Sequence, residues 1–189
     1  MANKWREHPK LCDRFHPESP DDVQVLVHDG GPRLTDRAPE LVWVRVTGAD
    51  GDLFTGQVLN RPDHLATVSE GAEIQFVAPD GGEYLLLVTQ KYLRERPEWL
   101  VEACDQCGLS ELFDAPSDLM RVVFPDMPDG FRTGMFTAYC GCCGGCQMVR
   151  HKDFKLDVEE NITAAPQIEP GSLVKKTPGR SKKWWEFWK

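Results

Sequence analysis

The residues with the clearest chemistry in this sequence are cysteines, and six of the seven fall in two short groups. The first group is Cys104-Asp105-Gln106-Cys107-Gly108, and the second is Cys140-Gly141-Cys142-Cys143-Gly144-Gly145-Cys146. Two thiolates three positions apart can hold one side of a tetrahedral Zn²⁺, and two such pairs complete a shell of four sulfurs. Glycine directly after such a pair permits a positive φ, which lets backbone N–H groups turn toward the sulfurs.

Two overlapping pairs in the second group have the required spacing, Cys140/Cys143 and Cys143/Cys146. Of these two, only Cys140/Cys143 is followed directly by glycine. The pair of the first group, Cys104/Cys107, is also followed directly by glycine. The predicted metal ligands are therefore Cys104, Cys107, Cys140 and Cys143. Two such knuckles resemble a zinc ribbon, but the 32 residues between them exceed the usual ~15–20. The site is therefore expected to close around an inserted hairpin.

Four thiolates fill a tetrahedral shell, so the predicted zinc is structural and leaves no position for a substrate. An iron–sulfur cluster also uses four cysteines and is the less favoured cofactor. Disulfides are disfavoured by the odd number of cysteines and by a reducing compartment. The spare thiols Cys142 and Cys146 keep open an alternative function, a thiol-based redox enzyme or sensor.

Other catalytic patterns are lacking in the sequence. No histidine lies in an HExxH motif, and there is no G-x-S-x-G, P-loop or G-x-G-x-x-G. His28 precedes the turn Asp29-Gly30-Gly31-Pro32, which could cradle an anion. A histidine that caps its own loop is the favoured interpretation. We therefore predict a non-catalytic protein.

Five short apolar segments before the cysteines carry the β-branched or alternating residues that are typical of strands. They are residues 23–27, 41–46, 53–59, 72–77 and 84–88. Asp50-Gly51 predicts a hairpin between the second and third segments, because glycine supplies the positive φ of a tight turn. A small antiparallel sheet or barrel is thus predicted over 23–96, after an irregular lead-in at 1–22 with at most one helical turn.

Residues 97–150 are predicted to form a zinc-ribbon-like module. The remaining predicted elements are helical turns over 91–101 and 110–113 and strands over 117–124 and 134–139. Ser110 is a candidate helix N-cap. The predicted fold class is α+β, and the polar, proline-containing segment 151–189 is predicted to be a disordered linker and flexible tail.

Three stretches of the predicted sheet share a pattern with a known family. They are Leu41-Val42-Trp43-Val44-Arg45-Val46, Gly56-Gln57-Val58-Leu59-Asn60-Arg61-Pro62 and Gly71-Ala72-Glu73-Ile74-Gln75-Phe76. This pattern resembles the YegJ-like bacterial domain of unknown function, with its tryptophan strand, Gly-x-[VL]-x-Asn-x-Pro hairpin end and Gly-x-x-[VI]-x-Phe strand. The resemblance covers residues 41–76, implies a small β-rich fold and transfers no catalytic residues.

Composition and charge limit the classes of function. The 189 residues include 14 Pro and 16 Gly, which exclude a long-helix bundle. The net charge is −8, and the segment from Ser172 onward carries +5, which leaves −13 on the rest. A protein this acidic lacks the basic surface that binds a phosphate backbone, so nucleic acid is disfavoured as a partner. No apolar run approaches the ~18 residues of a membrane span, and no secretory signal precedes the first strand, so a cytoplasmic location is expected.

The C-terminal segment Lys182-Lys183-Trp184-Trp185-Glu186-Phe187-Trp188-Lys189 is the second unusual feature. On a helix, its four aromatic residues would share one arc of about 160°. They are Trp184, Trp185, Phe187 and Trp188. A helix this short is marginal in water, so it should order only on contact. We expect it to dock on a protein partner, with a membrane surface or the protein's own body as alternatives.

Truncation after Gly171 tests the predicted docking role of this tail. The melting temperature and metal content should stay unchanged, because the aromatic residues are expected to contribute to contacts and not to the core. Recovery of a partner protein, or of liposomes, should be lost. A fall in stability of several kcal/mol on truncation would instead assign the tail to the core.

Overall fold

The computed structural model describes residues 4–32, 34–126, 128 and 133–155. By its internal contacts the chain divides into two units, Met1–Asp153 and Phe154–Lys189. The aromatic tail and most of the predicted linker lie outside the described residues. All described helices and strands belong to the first unit. The boundaries expected at 22, 96 and 150 stay predictions.

Six strands form the first sheet. They are β1 (Phe15–His16), β2 (Ser19–Val27), β3 (Glu40–Asp50), β4 (Leu53–Val58), β5 (Glu73–Val77) and β6 (Leu85–Leu87). Consecutive strands pair antiparallel, and β6 also pairs in parallel with β2. This last pairing closes β2–β6 into a five-stranded barrel, so the predicted β-rich fold is confirmed for this part of the chain.

The barrel follows from residues that alternate between two faces. The inward-facing residues are apolar, and they form one buried cluster. It includes Val23, Val25, Val42, Val44, Phe54 and Phe76. Leu26 and Leu86 belong to a second buried cluster. The barrel wall therefore contributes side chains to two cores, one inside it and one outside.

The second core is covered by a three-stranded sheet and two short helices. Their bounds are α1 (Gln90–Glu95), β7 (Trp99–Val101), α2 (Pro116–Val123), β8 (Met135–Tyr139) and β9 (Cys146–His151). The sheet order is β7-β9-β8, and both pairings are antiparallel. Trp99, Phe136 and Val149 from these strands pack in the same cluster as Leu26 and Leu86 of the barrel. None of the described helices has the length and apolar character needed to cross a bilayer.

The strand predicted over 117–124 is wrong, because this segment is helix α2. Pro116 lies in the first turn, where its missing N–H and fixed φ are tolerated, and Asp118 places a negative charge at the positive end of the helix. Leu119 and Met120 are buried with Pro116, at the i, i+3, i+4 spacing of one helix face. Tertiary burial of that face outweighs the strand preference of Val122-Val123.

The helical turns predicted over 91–101 are confirmed as α1 and the 3₁₀ turn Arg96–Glu98, after which β7 begins at Trp99. Two other predictions need correction. Residues 110–113 contain no helix, and the Ser110 hydroxyl donates to the carbonyl of Asp80 at 3.0 Å instead of capping. The lead-in carries the 3₁₀ turn Lys4–Glu7, β1 and the start of β2. Strand β8 was predicted correctly, and β9 was not predicted.

Gly56 on β4 lets two barrel strands approach closely. A Cβ there would lie 2.5 Å from Cγ1 of Val44 and 2.7 Å from the carbonyl oxygen of Arg45. We expect Gly56→Ala to lower the free energy of unfolding by about 1–3 kcal/mol, as overpacking does. At Gly48 the same atom would meet only Thr55 at 3.8 Å, so Gly48→Ala is the matched control and should change stability little. Urea denaturation measures the free energy of unfolding of both variants. An equal loss of stability in Gly56→Ala and Gly48→Ala would contradict this explanation.

Candidate metal centre

The structure brings the four predicted ligand sulfurs together. The Sγ atoms of Cys104, Cys107, Cys140 and Cys143 all lie within 4.8 Å of one another. Cys104 Sγ is 3.5 Å from Cys143 Sγ, and Cys107 Sγ is 3.6 Å from Cys140 Sγ. A disulfide needs about 2.05 Å, whereas sulfurs ~2.3 Å from one tetrahedral Zn²⁺ are about 3.8 Å apart. The four cysteines are therefore free thiols that could hold one metal ion.

The two cysteine pairs lie in matching backbone turns. In the first, the Cys104 N–H donates to the Leu109 carbonyl at 2.9 Å, and the Gly108 N–H donates to the Cys104 carbonyl at 3.0 Å. The second turn repeats both hydrogen bonds at the same sequence offsets, at 2.7 and 2.9 Å. Gly108 and Gly144 have φ of 77° and 75°. The positive φ predicted for these two glycines is confirmed.

Backbone N–H groups point at the sulfurs, as a thiolate site requires. The Gln106 N–H lies 3.5 Å from Cys104 Sγ, and the Gly145 N–H lies 3.4 Å from Cys143 Sγ. Burial opposes ionisation of Cys104, but hydrogen bonds from the N–H groups of Cys107 and Gln106 and from the Cys143 and Cys107 thiols together lower its pKa. The sulfur of Cys104 is thus prepared to bind a cation as a thiolate.

The other three thiols resist ionisation in the absence of a cation. Burial raises the pKa of Cys107 to about 11. The neighbouring Cys142 thiol and burial raise the pKa of Cys140, and burial and the Cys104 sulfur raise the pKa of Cys143. A metal cation would stabilise all four thiolates together, so binding should release protons.

The second sheet sets the positions of the two turns. The first turn follows β7, and the second joins β8 to β9, which pairs with β7. Asp105 links them directly, because its Oδ1 accepts from the Cys146 N–H at 2.8 Å and its own N–H donates to the Cys146 carbonyl at 3.1 Å. The hairpin expected between the turns is wrong, since that insert contains α2 and β8.

Two glycines of the second turn leave room for their neighbours. A Cβ at Gly145 would lie 2.7 Å from Cys104 Sγ, and a Cβ at Gly141 would lie 2.4 Å from the Phe113 ring. Sequence reasoning did not assign a role to either glycine. The pair Gly144-Gly145 could have indicated this role for Gly145. Only Gly144 is needed for the positive φ, so a second glycine indicates that another group approaches the backbone closely.

Phe113 connects the second turn to the barrel. Its ring stacks on His28 with centroids 4.2 Å apart and planes 20° from parallel. The Gly30 N–H donates to Nδ1 of His28 at 3.1 Å, so Nε2 carries the proton that is donated to the Leu87 carbonyl at 3.1 Å. His28 therefore caps its own loop, and both ring nitrogens are engaged. This arrangement favours the loop-capping interpretation over an anion cradle.

The barrel also contacts the first turn. A Cβ at Gly81 would lie 2.8 Å from the carbonyl oxygen of Gly108, so the backbones of the two loops touch. Asp114 holds the loop at Gly31, because the Gly31 N–H donates to Oδ2 of Asp114 at 2.7 Å. A Cβ at Gly31 would lie 3.9 Å from the Cα of Gly141, so both cysteine turns lie against loops that leave the barrel.

A buried polar network supports the segment after the first turn. The Gln147 side chain donates to the carbonyls of Leu109 and Glu111 at 2.8 and 3.1 Å. The Glu111 carboxylate accepts from the hydroxyl of Tyr92 and pairs with Arg96. Among the described residues, no buried side-chain nitrogen or oxygen lacks a partner. These polar groups were missed from sequence because each lies far along the chain from its partner.

The spare thiols Cys142 and Cys146 lie outside the group of four, and both are exposed. Comparison of the chain with family models, with curated proteins and with solved structures gives no match. The resemblance of residues 41–76 to the YegJ-like domain therefore stays a prediction.

His28 provides a pH test of the contact between barrel and metal centre. Burial lowers its pKa from 6.5 to about 4. Between pH 6.5 and pH 4 the folded protein therefore binds fewer protons than the unfolded chain. The free energy of unfolding that is present above pH 6.5 should then fall by about 3 kcal/mol as the pH is lowered toward 4. His28→Asn keeps an acceptor near the Gly30 N–H but has no titrating ring, so this part of the pH dependence of stability should disappear.

Proton NMR of the His28 ring measures the shift directly, apart from any effect of acid on bound metal. The Cε1 proton should not titrate above pH 5. A midpoint near 6.5 would show that the ring is not held neutral between Phe113 and the barrel loop.

Proposed function

We propose that this protein binds one zinc ion through Cys104, Cys107, Cys140 and Cys143, and that it acts as a non-catalytic binding or adaptor module. The observation that carries the proposal is the group of four sulfurs within 4.8 Å, presented by two turns with matching hydrogen bonds. Geometry of this kind is typical of structural zinc sites made of four cysteines.

The sulfur spacing supports a single ion over a cluster. In a cluster of several irons, thiolates bound to different irons lie farther apart than thiolates that share one ion. Here all four sulfurs lie within 4.8 Å of one another, and the pairs at 3.5 and 3.6 Å match the edge of a tetrahedron around one ion. The two turns on a three-stranded sheet support a zinc-ribbon-like module over 97–150. Metal analysis separates zinc from a single iron in the same shell.

A structural role follows from the ligand number. Four thiolates complete the tetrahedral shell, so neither water nor substrate has an open position on the ion. The ion would join two segments that are 32 residues apart, and its binding energy would add to the folding energy of this part of the chain. Seven free cysteines fit a reducing compartment such as the cytoplasm.

The adaptor part of the proposal rests on the C-terminal aromatic residues. Trp184, Trp185, Phe187 and Trp188 lie outside the described residues, and their role is argued from composition alone. A compact group of aromatic and basic side chains suits docking into an apolar groove of a protein partner. An acidic chain makes a protein partner preferable to nucleic acid.

Metal analysis of the purified protein and its variants tests the proposed site. The protein should carry about one Zn²⁺ per chain, as one tetrahedral shell requires. Cys104→Ser and Cys143→Ser should each lose the metal and unfold the C-terminal part of the first unit, because an incomplete shell no longer offsets the buried thiols. Cys146→Ser, which alters an exposed thiol outside the group, should do neither. Full zinc occupancy in Cys104→Ser would refute the ligand assignment.

A further inference from the structure

A cavity of about 230 Å³ lies against the sulfur group. Three cysteines line it: the ligands Cys107 and Cys143, and the spare thiol Cys142. The rest of its wall comes mainly from the barrel and the segment after the first turn, and includes Leu26, Leu86, Leu109 and Tyr84. A small molecule in this cavity would therefore meet sulfur on one side and mostly apolar side chains on the other.

Cys142 is an exposed thiol outside the proposed ligand set. Among the proposed ligands, Cys107 is also exposed and Cys143 is half-buried, whereas Cys104 and Cys140 are buried, with exposed fractions of 5% and 0%. It lies two residues from the proposed ligand Cys140, with only Gly141 between them. A thiol outside the proposed ligand set thus lines the same cavity as two proposed ligands and lies two residues from a third.

We propose that Cys142 is an oxidation site for a hydroperoxide, and that its oxidation releases the metal by forming a disulfide with Cys140. The inference rests on the proposed metal centre and adds a reactive position to it. The ligand sulfurs share their electron pairs with the ion, and a spare thiol does not. Cys142 is therefore the sulfur best placed to react first.

The chemistry balances in two steps. The Cys142 sulfur attacks the hydroperoxide, an S–O bond forms, and the O–O bond breaks. The departing alkoxide or hydroxide takes the thiol proton, so one alcohol or water leaves and Cys142 becomes a sulfenic acid, oxidised by two electrons. The Cys140 sulfur then attacks Cys142, an S–S bond forms, and the S–O bond breaks. The hydroxide that leaves takes a proton and becomes water.

Loss of one ligand is what would release the ion. Once Cys140 is in a disulfide, only three thiolates remain, and the closed shell that held the metal no longer exists. Gly141 separates the two cysteines and has no side chain of its own to oppose the change in backbone that a short disulfide loop requires. A thiol reductant together with zinc should restore the centre, because sulfenic acids and disulfides are reversible products.

Zinc release under hydrogen peroxide tests the inference in the full-length, zinc-loaded protein. A chromogenic chelator reports the release rate, and peptide mass spectrometry identifies the disulfide. Cys142→Ser should slow zinc release at least about tenfold, since the oxidant must then attack sulfurs bound to the ion. Cys146→Ser, the matched control, should release zinc at the rate of the unchanged protein. The oxidised protein should contain a Cys140–Cys142 disulfide.

Three outcomes would overturn the inference. They are zinc release at equal rates with and without Cys142, no release from the unchanged protein, and release with no disulfide at Cys142. Equal starting zinc content in Cys142→Ser confirms that this variant folds. If the unchanged protein carries no metal when purified, the proposed function fails and this inference falls with it. If it carries metal that peroxide releases without Cys142, only the inference fails.

Discussion

Four cysteine sulfurs, from two segments far apart in the chain, lie within 4.8 Å of one another, and the second sheet is arranged so that they meet. Thiols that are buried this close together are hard to ionise, and the pKa values of Cys107, Cys140 and Cys143 are raised accordingly. A cation at the centre would remove that cost and turn it into folding energy. The sheet order β7-β9-β8 satisfies the constraint, because it brings the end of β7 beside the turn that joins β8 to β9.

The barrel and the metal centre are joined by backbone contacts that only small residues allow. Gly81 touches Gly108 beside the first turn, and Gly141 of the second turn lies under the ring of Phe113. That ring stacks in turn on His28 of the barrel. Because Leu26 and Leu86 also pack into the second core, removal of a metal ion held by the four cysteines should also affect the barrel wall.

Much of this arrangement could be predicted from the sequence, and the failures share a physical cause. Period-two apolar segments and the Asp50-Gly51 turn predicted the barrel strands. The cysteine spacing with its following glycines predicted which four cysteines come together, because both are local signals. Helix α2 was missed because Val122-Val123 favour strands locally, while burial of Leu119 and Met120 favours a helix. The parallel pairing that closes the barrel, the Asp105 link and the Phe113 stack depend on residues far apart in the chain. No local pattern encodes them.

X-ray absorption at the zinc K-edge of the purified protein tests the central claim most directly. It reports the identity, number and distance of the atoms bound to the metal, without a variant that could fail to fold. A structural four-cysteine centre predicts four sulfur neighbours at about 2.3 Å and no nitrogen or oxygen neighbour at ~2.0–2.1 Å. A shell with nitrogen or oxygen ligands, or fewer than four sulfurs, would contradict the account, because the metal would then have an open position or different ligands.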